Sequence, residues 1–124
     1  MAGEITLSAS LSFAKGQVGI RTLSVANVKV NVAGANSKWS QMTVPTTAGG
    51  TAIPVDELAS IGQYMFKNDD LTNSVDIMTA VSGTHICTVP ANDVALGYFP
   101  SGVTAPAAIA TGAPVQLEYF IVEI

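Results

Sequence analysis

Between Glu4 and Phe13 the chain alternates: Ile5, Leu7, Ala9, Leu11 and Phe13 fall on one parity and polar residues on the other. A period of two fits a half-buried strand, because successive side chains of a strand point to opposite faces. Lys15-Gly16-Gln17 reads as a turn. From Arg21 to Val32 the alternation resumes with a slip, Leu23 and Val25 on one parity, Val28, Val30 and Val32 on the other. A bulge near Ala26-Asn27 resets the faces, which predicts one long bent strand or two short ones.

Trp39 to Val44 reads as a strand ending at Pro45, and "TTAGGT" as a loop. "VDELAS", after Ile53-Pro54, has the only helical flavour and is too short for more than a turn or two. Further strands are predicted over Gln63 to Lys67, Val75 to Ala80, Thr84 to Val89, Val94 to Phe99, Ala107 to Ala110 and Val115 to Ile124. About eight short strands separated by Gly, Pro and Asn, with no βαβ unit, predict an all-β fold. The expected architecture is an antiparallel β-sandwich or jelly roll with at most one or two short helical turns. Residues 1–124 read as a single β domain with no internal repeat, and 1–14 as a candidate N-terminal arm or edge strand.

In the last strand Val115, Leu117, Tyr119 and Ile121 share one face, and Gln116, Glu118, Phe120, Val122 and Ile124 the other. Its second half is therefore apolar on both sides, which places it centrally in a sheet or against another chain. The central position is expected.

Composition narrows the functional classes. The chain is 48% hydrophobic and 11% charged, against roughly 25% charged residues in average proteins, so disorder is not expected. Part of the exterior is then either covered or dressed with Ser, Thr and Asn. All five cations, Lys15, Arg21, Lys29, Lys38 and Lys67, precede an acidic second half, and the net charge is −4. Scattered cations make no phosphate-neutralising stripe, so no nucleic-acid partner is expected. "MAGEITL" lacks the basic start and apolar core of a secretory signal. The uncharged run from Val94 to Gln116 is broken by Pro100, Pro106 and Pro114, so no membrane-spanning helix is expected. A single cysteine, Cys87, forms no internal disulfide, consistent with synthesis in a reducing cytoplasm.

Residues capable of chemistry are few. His85 and Cys87 are two apart and on a regular strand point to the same side, as two metal ligands or a Cys/His pair would. Zinc needs further ligands and a nucleophile needs an orienting third group, so a small hydrophobe and a satisfied histidine are the expected roles. There is no Gly-x-Ser-x-Gly, and "AGGT" lacks the lysine of a phosphate loop. Asn68, Asp69, Asp70 and Asn73 offer oxygens to calcium, but their spacing fits a turn capped by Asn and Asp side chains. Trp39, Tyr98 and Phe99 are candidate stacking platforms; with so few aromatics, core use is expected. The expectation is a non-enzyme with no catalytic, cofactor-binding or metal-binding residues.

Two segments resemble small virion proteins of tailed bacteriophages. In "GQYMFKNDDLTNSVDI" an aromatic-x-aromatic strand leads into Asn68, Asp70, Thr72, Asn73 and Val75, which match an Asn-x-Asp-x-Thr-Asn-x-Val pattern. In "VPANDVALGYFPSGVTAPAAIATGAPVQLEYFIVEI", Ser101-Gly102-Val103-Thr104 matches a "PGVT"-like turn, and Ala113-Pro114-Val115 opens an "APV-x-L-x-Y" strand. The chain departs at Ala91-Asn92-Asp93, where the family tends to have glycine; Asn tolerates positive φ well enough to keep the turn. The resemblance covers roughly the last 65 residues and carries no catalytic residue.

What the resemblance implies is a capsid decoration, or cement, protein. It would sit on the capsid exterior of the virion after synthesis in the host cytoplasm, with the major capsid protein as partner, as a homo-oligomer with the trimer favoured. Alternatives are another virion component, in the tail or the head-to-tail region, and a sugar-binding β-sandwich module with an exposed aromatic platform at Trp39 or Tyr98. Glu4 to Phe13 is a candidate arm for strand addition to the shell.

Overall fold

The computed structural model describes residues 5–14, 20–30, 34 and 36–124, with the side chains of 13, 14, 20, 21 and 30 outside the description. The turn expected at Lys15-Gly16-Gln17 lies outside the described residues, as do residues 1–4 of the expected arm. The chain divides into two compact units, Met1–Ala33 and Gly34–Ile124, where the sequence reads as one β domain over 1–124. Ten strands are formed, and no helix among the described residues.

The first unit is a hairpin of β1 (Ile5–Ala14) and β2 (Ile20–Val30), paired antiparallel. The arm expected at 1–14 is thus one half of a hairpin. Its register shifts where Ala26 and Asn27 stand against Ser8, with Asn27 at φ 58° and its N–H donated to Ser8 Oγ at 3.2 Å. The bulge is where the slipped alternation requires it. Leu7 consequently faces Val28, Ala9 faces Val25 and Leu11 faces Leu23.

The second unit holds β3 (Ser37–Val44), β4 (Thr51–Ala52), β5 (Ile61–Asn68), β6 (Val75–Met78), β7 (His85–Val89), β8 (Val94–Tyr98), β9 (Ala107–Ala110) and β10 (Val115–Glu123). They form two four-stranded sheets, ordered β3-β10-β5-β8 and β4-β9-β6-β7. The pairings are nested: β6 with β7, β5 with β8, β4 with β9, β3 with β10, all antiparallel. One long double ribbon closed at the β6–β7 turn is therefore rolled up, its layers joined where β10 meets β5 and β6 meets β9. This winding is that of a jelly roll. The helical turn expected at "VDELAS" is a reverse turn closed by Leu58 N–H on the Val55 carbonyl at 3.0 Å.

The core follows strand parity. Val115, Leu117, Tyr119 and Ile121 of β10 are buried between β3 and β5, so the last strand is central. Tyr64 and Phe66 of β5 meet Phe99 in an aromatic cluster, with ring centroids 4.6 Å apart for Tyr64–Phe99 and 5.0 Å for Tyr64–Phe66. Val75, Ile77, Val89, Ala108 and Ala110 complete it from the opposite sheet.

Candidate interaction surface

Strand parity that buries Leu117, Tyr119 and Ile121 turns Glu118 and Phe120 outward. Phe120 lies opposite Trp39 on β3 and Met65 on β5, and Met65 lies opposite Leu96 on β8. One row of apolar side chains therefore crosses the whole outer face of this sheet. All four are exposed, Trp39 by 71%, and Trp39 meets Phe120 edge-on at 6.1 Å. A groove runs beside it, lined by Trp39, Met65, Lys67, Glu118, Tyr119 and Phe120. Val94 and Tyr98 add exposed apolar surface on β8.

The next rows are polar and tied together. Gln41 Nε2 donates to Glu118 Oε2 at 3.2 Å, Gln116 Nε2 to Gln41 Oε1 at 3.4 Å, and Thr43 Oγ1 to Gln116 Oε1 at 3.1 Å. Lys67 pairs with Asp69 at 3.4 Å. An apolar stripe with a hydrogen-bonded polar border along one side has the anatomy of a contact patch.

The core role expected for Trp39 and Tyr98 is thus corrected. Both point outward, because odd residues of β3 and even residues of β8 face solvent, and Tyr98 is 52% exposed. Phe99, the residue just after that strand, turns in, is 1% exposed and takes the core role.

His85 and Cys87 do not share a side. The register of β6 against β7 shifts between Ile77 and Met78, leaving an extra residue, Ile86, on β7. Cys87 then packs toward the core, within 4.0 Å of the Tyr64 hydroxyl, while His85 is exposed. Burial pushes the Cys87 thiol up, away from thiolate character. It also pushes Tyr64 up to about 12, with Cys87 adding to the rise. On the outside, Thr88 Oγ1 donates to Asp76 Oδ1 at 2.6 Å, so the His85 Nε2 at 2.9 Å is left to donate to Thr88 Oγ1. That direction is the reverse of hydroxyl activation by a base.

Asn68, Asp70, Thr72 and Asn73 build a turn. Asn68 is fully buried, donating from Nδ2 to the Asn73 carbonyl at 2.8 Å and the Val89 carbonyl at 3.2 Å, and accepting the Asp70 N–H at 2.8 Å. Asp70 Oδ1 accepts the N–H groups of Thr72 at 2.7 Å and Asn73 at 2.6 Å. These donors hold the Asp70 carboxyl below its ordinary range, the Asn73 N–H most strongly. The carboxylate oxygen is occupied by the chain itself, as the capped-turn reading requires. Asn92, in the segment that departs from the family pattern, adopts φ 55° and donates its N–H to the Asp70 carbonyl at 2.7 Å.

Among the described residues no three His, Cys, Asp or Glu side chains converge on one point, and no helix is long and apolar enough to cross a membrane. No family model, curated protein or solved structure matches the chain.

Proposed function

We infer that the protein is a structural component of a tailed-phage particle, a capsid decoration protein that binds the outer face of the shell and stabilises it without catalysis. The observation that carries this reading is the row Trp39–Phe120–Met65–Leu96, a solvent-facing apolar stripe across the outer face of the β3-β10-β5-β8 sheet. Such a stripe is a cost to a free chain and an asset to one whose role is contact. The narrower assignment, to the major capsid protein as partner and to trimers on the shell, rests on the resemblance of Gly62–Ile77 and of the segment from Val89 onward to virion proteins. The residues carrying that resemblance pack the core or cap turns, so what they support is the fold class first.

The mechanism is mass action. A protein that binds only the assembled lattice lowers the free energy of that state, and repeated sites on one shell add their contacts. The test is a titration of empty shells followed by sedimentation. Saturable co-sedimentation, at a ratio set by lattice sites of one symmetry class, is expected; a chain that stays in the supernatant at every ratio refutes the reading.

One observation favours a second reading, a sugar-binding module. Trp39 stands exposed beside Glu118 and Lys67, an indole face with polar groups at its border. Under that reading Trp39→Ala abolishes glycan binding and leaves shell binding unchanged.

A further inference from the structure

The sheet β3-β10-β5-β8 ends in β3, and its ladder fixes what that edge presents. Asp69 N–H donates to the Gln116 carbonyl at 3.1 Å, and Glu123 N–H to the Asn36 carbonyl at 2.9 Å. Even residues of β10 therefore aim their backbone groups at β5 and odd residues at β3, since these directions alternate along an antiparallel strand. Met42 lies opposite Leu117 and Trp39 opposite Phe120. The even residues of β3 thus bond to β10, and Ser37, Trp39, Gln41 and Thr43 turn N–H and C=O to the open side. Within the second unit no other strand meets these groups. Ser40 Oγ reaches the Gln41 carbonyl at 3.5 Å, near the outer limit of a hydrogen bond. The pairing of β3 with β10 runs over eight residues with no bulge and no proline. The other edges are blunted: β4 has two residues, β7 carries the bulge, and β8 has five residues and is followed by Pro100. A long regular edge is a template for one more strand.

We propose that the β3 edge is a strand-addition site for an extended, proline-free segment of a foreign chain with Lys or Arg at its ends. Donors and acceptors alternating along a line are matched by another extended backbone. Charge selects the flanks. Lys38, the one cation of β3, is held by Glu57 at 2.6 Å with Asp56 acting on it as well, and Glu118 lies opposite Gln41 on β10. The edge is acidic, on a chain of net charge −4. On the outer face the added strand lies beside Trp39, so an apolar residue there lengthens the Trp39–Phe120–Met65–Leu96 row. A second copy fits less well, because it brings the same acids. The two-fold register that engages all four open residues is centred on Ser40, and it sets Lys38 against the other copy's Met42, twice, on the inward face. An inward-pointing charge of this kind blunts self-pairing. The proposal goes beyond the shell reading and does not depend on it.

The probe is a blocked peptide, acetyl-Lys-Thr-Val-Thr-Val-Thr-Val-Lys-amide, with strand-forming residues between two cations. Amide exchange and nitrogen-15 NMR of the full chain supply the readout. Before peptide is added, the N–H groups of Trp39, Gln41 and Thr43 are expected to exchange freely and those of Lys38, Ser40 and Met42 to be protected. Peptide is expected to shift the odd set saturably and protect it. The same peptide with glutamates in place of its lysines is expected to bind more weakly; equal affinity overturns the charge selection. Gln41→Pro removes an open donor and leaves the β10 ladder whole, so it is expected to fold and lose the response. Odd amides already protected in the free chain overturn the proposal. So does protection that grows with protein concentration in place of peptide, which would put a second copy on the edge. Absence of a saturable shift, or peptide binding undiminished in Gln41→Pro, overturns it as well.

Discussion

Asn68 shows how one side chain holds a turn that the sequence announces. Its three hydrogen bonds tie β5 to the Asn73 and Val89 carbonyls and to the Asp70 N–H in a fully buried site. Asn68→Ala leaves those groups buried and unpaired, and a loss of roughly 2–4 kcal/mol is expected from urea unfolding. Asp70 makes the same turn pH-dependent. Its carboxyl titrates below the ordinary value of 3.8, so its contribution is complete above that value and fades as pH falls through the lower, folded one. The stability gap between wild type and Asp70→Ala is therefore expected at pH 7 and should shrink toward pH 3; a gap constant across that range contradicts the assignment. Residues of this kind were legible because Asn and Asp signal turns through their own hydrogen bonds, as Asn27 and Asn92 do through positive φ. The separation of His85 from Cys87 was not legible: it depends on one extra residue in β7, and nothing in "THICTV" marks it.

At the scale of the element, parity did most of the work. β10 alternates buried and outward residues along its length, and the inward set is the one the sequence pattern groups together. Leu117→Ala is expected to cost about 2–5 kcal/mol through the cavity it leaves, whereas Gln116→Ala, one residue away on the outer face, stays within about 0.5 kcal/mol. Chemical denaturation of the pair checks the assignment, since a register error would exchange the two results. In β2 the slip in parity located the bulge. Deletion of Asn27 is expected to turn Val28 onto the serine face or shift the hairpin register while the body stays folded, and amide NMR of β1 and β2 reports the change. Where alternation misled was in the aromatics. Scarcity argued for burial of Trp39 and Tyr98, but parity, set by the inward-facing Met42 and Val44 and by Phe99, sends both outward.

For the whole molecule, the all-β class was readable from turn spacing, but the count was not: about eight strands were expected where ten form, and β4 (Thr51–Ala52) lies at the end of the "TTAGGT" stretch read as a loop. The sheet order β3-β10-β5-β8 was hidden too, because β3 and β10 meet across most of the chain. The division at Gly34 was equally hidden: strands on either side of it share one alternation, and only their pairing partners differ. Every residue of the buried core cluster lies between Val44 and Ile121. A fragment spanning 34–124 is therefore expected to unfold in a single cooperative transition, with a near-ultraviolet spectrum like that of the full chain; a broad, non-cooperative transition contradicts a core confined to the second unit.

Contact through the outer sheet face is the claim on which the functional account depends, and Trp39 is its most exposed large residue on that row. The measurement that tests it most directly is shell binding by Trp39→Ala, in which a large aromatic anchor is removed from the proposed contact and the core is untouched. A loss of about 2 kcal/mol, or roughly 30-fold in affinity, is expected for a central anchor of this type. Affinity equal to that of the wild type, with the variant folded, contradicts the account.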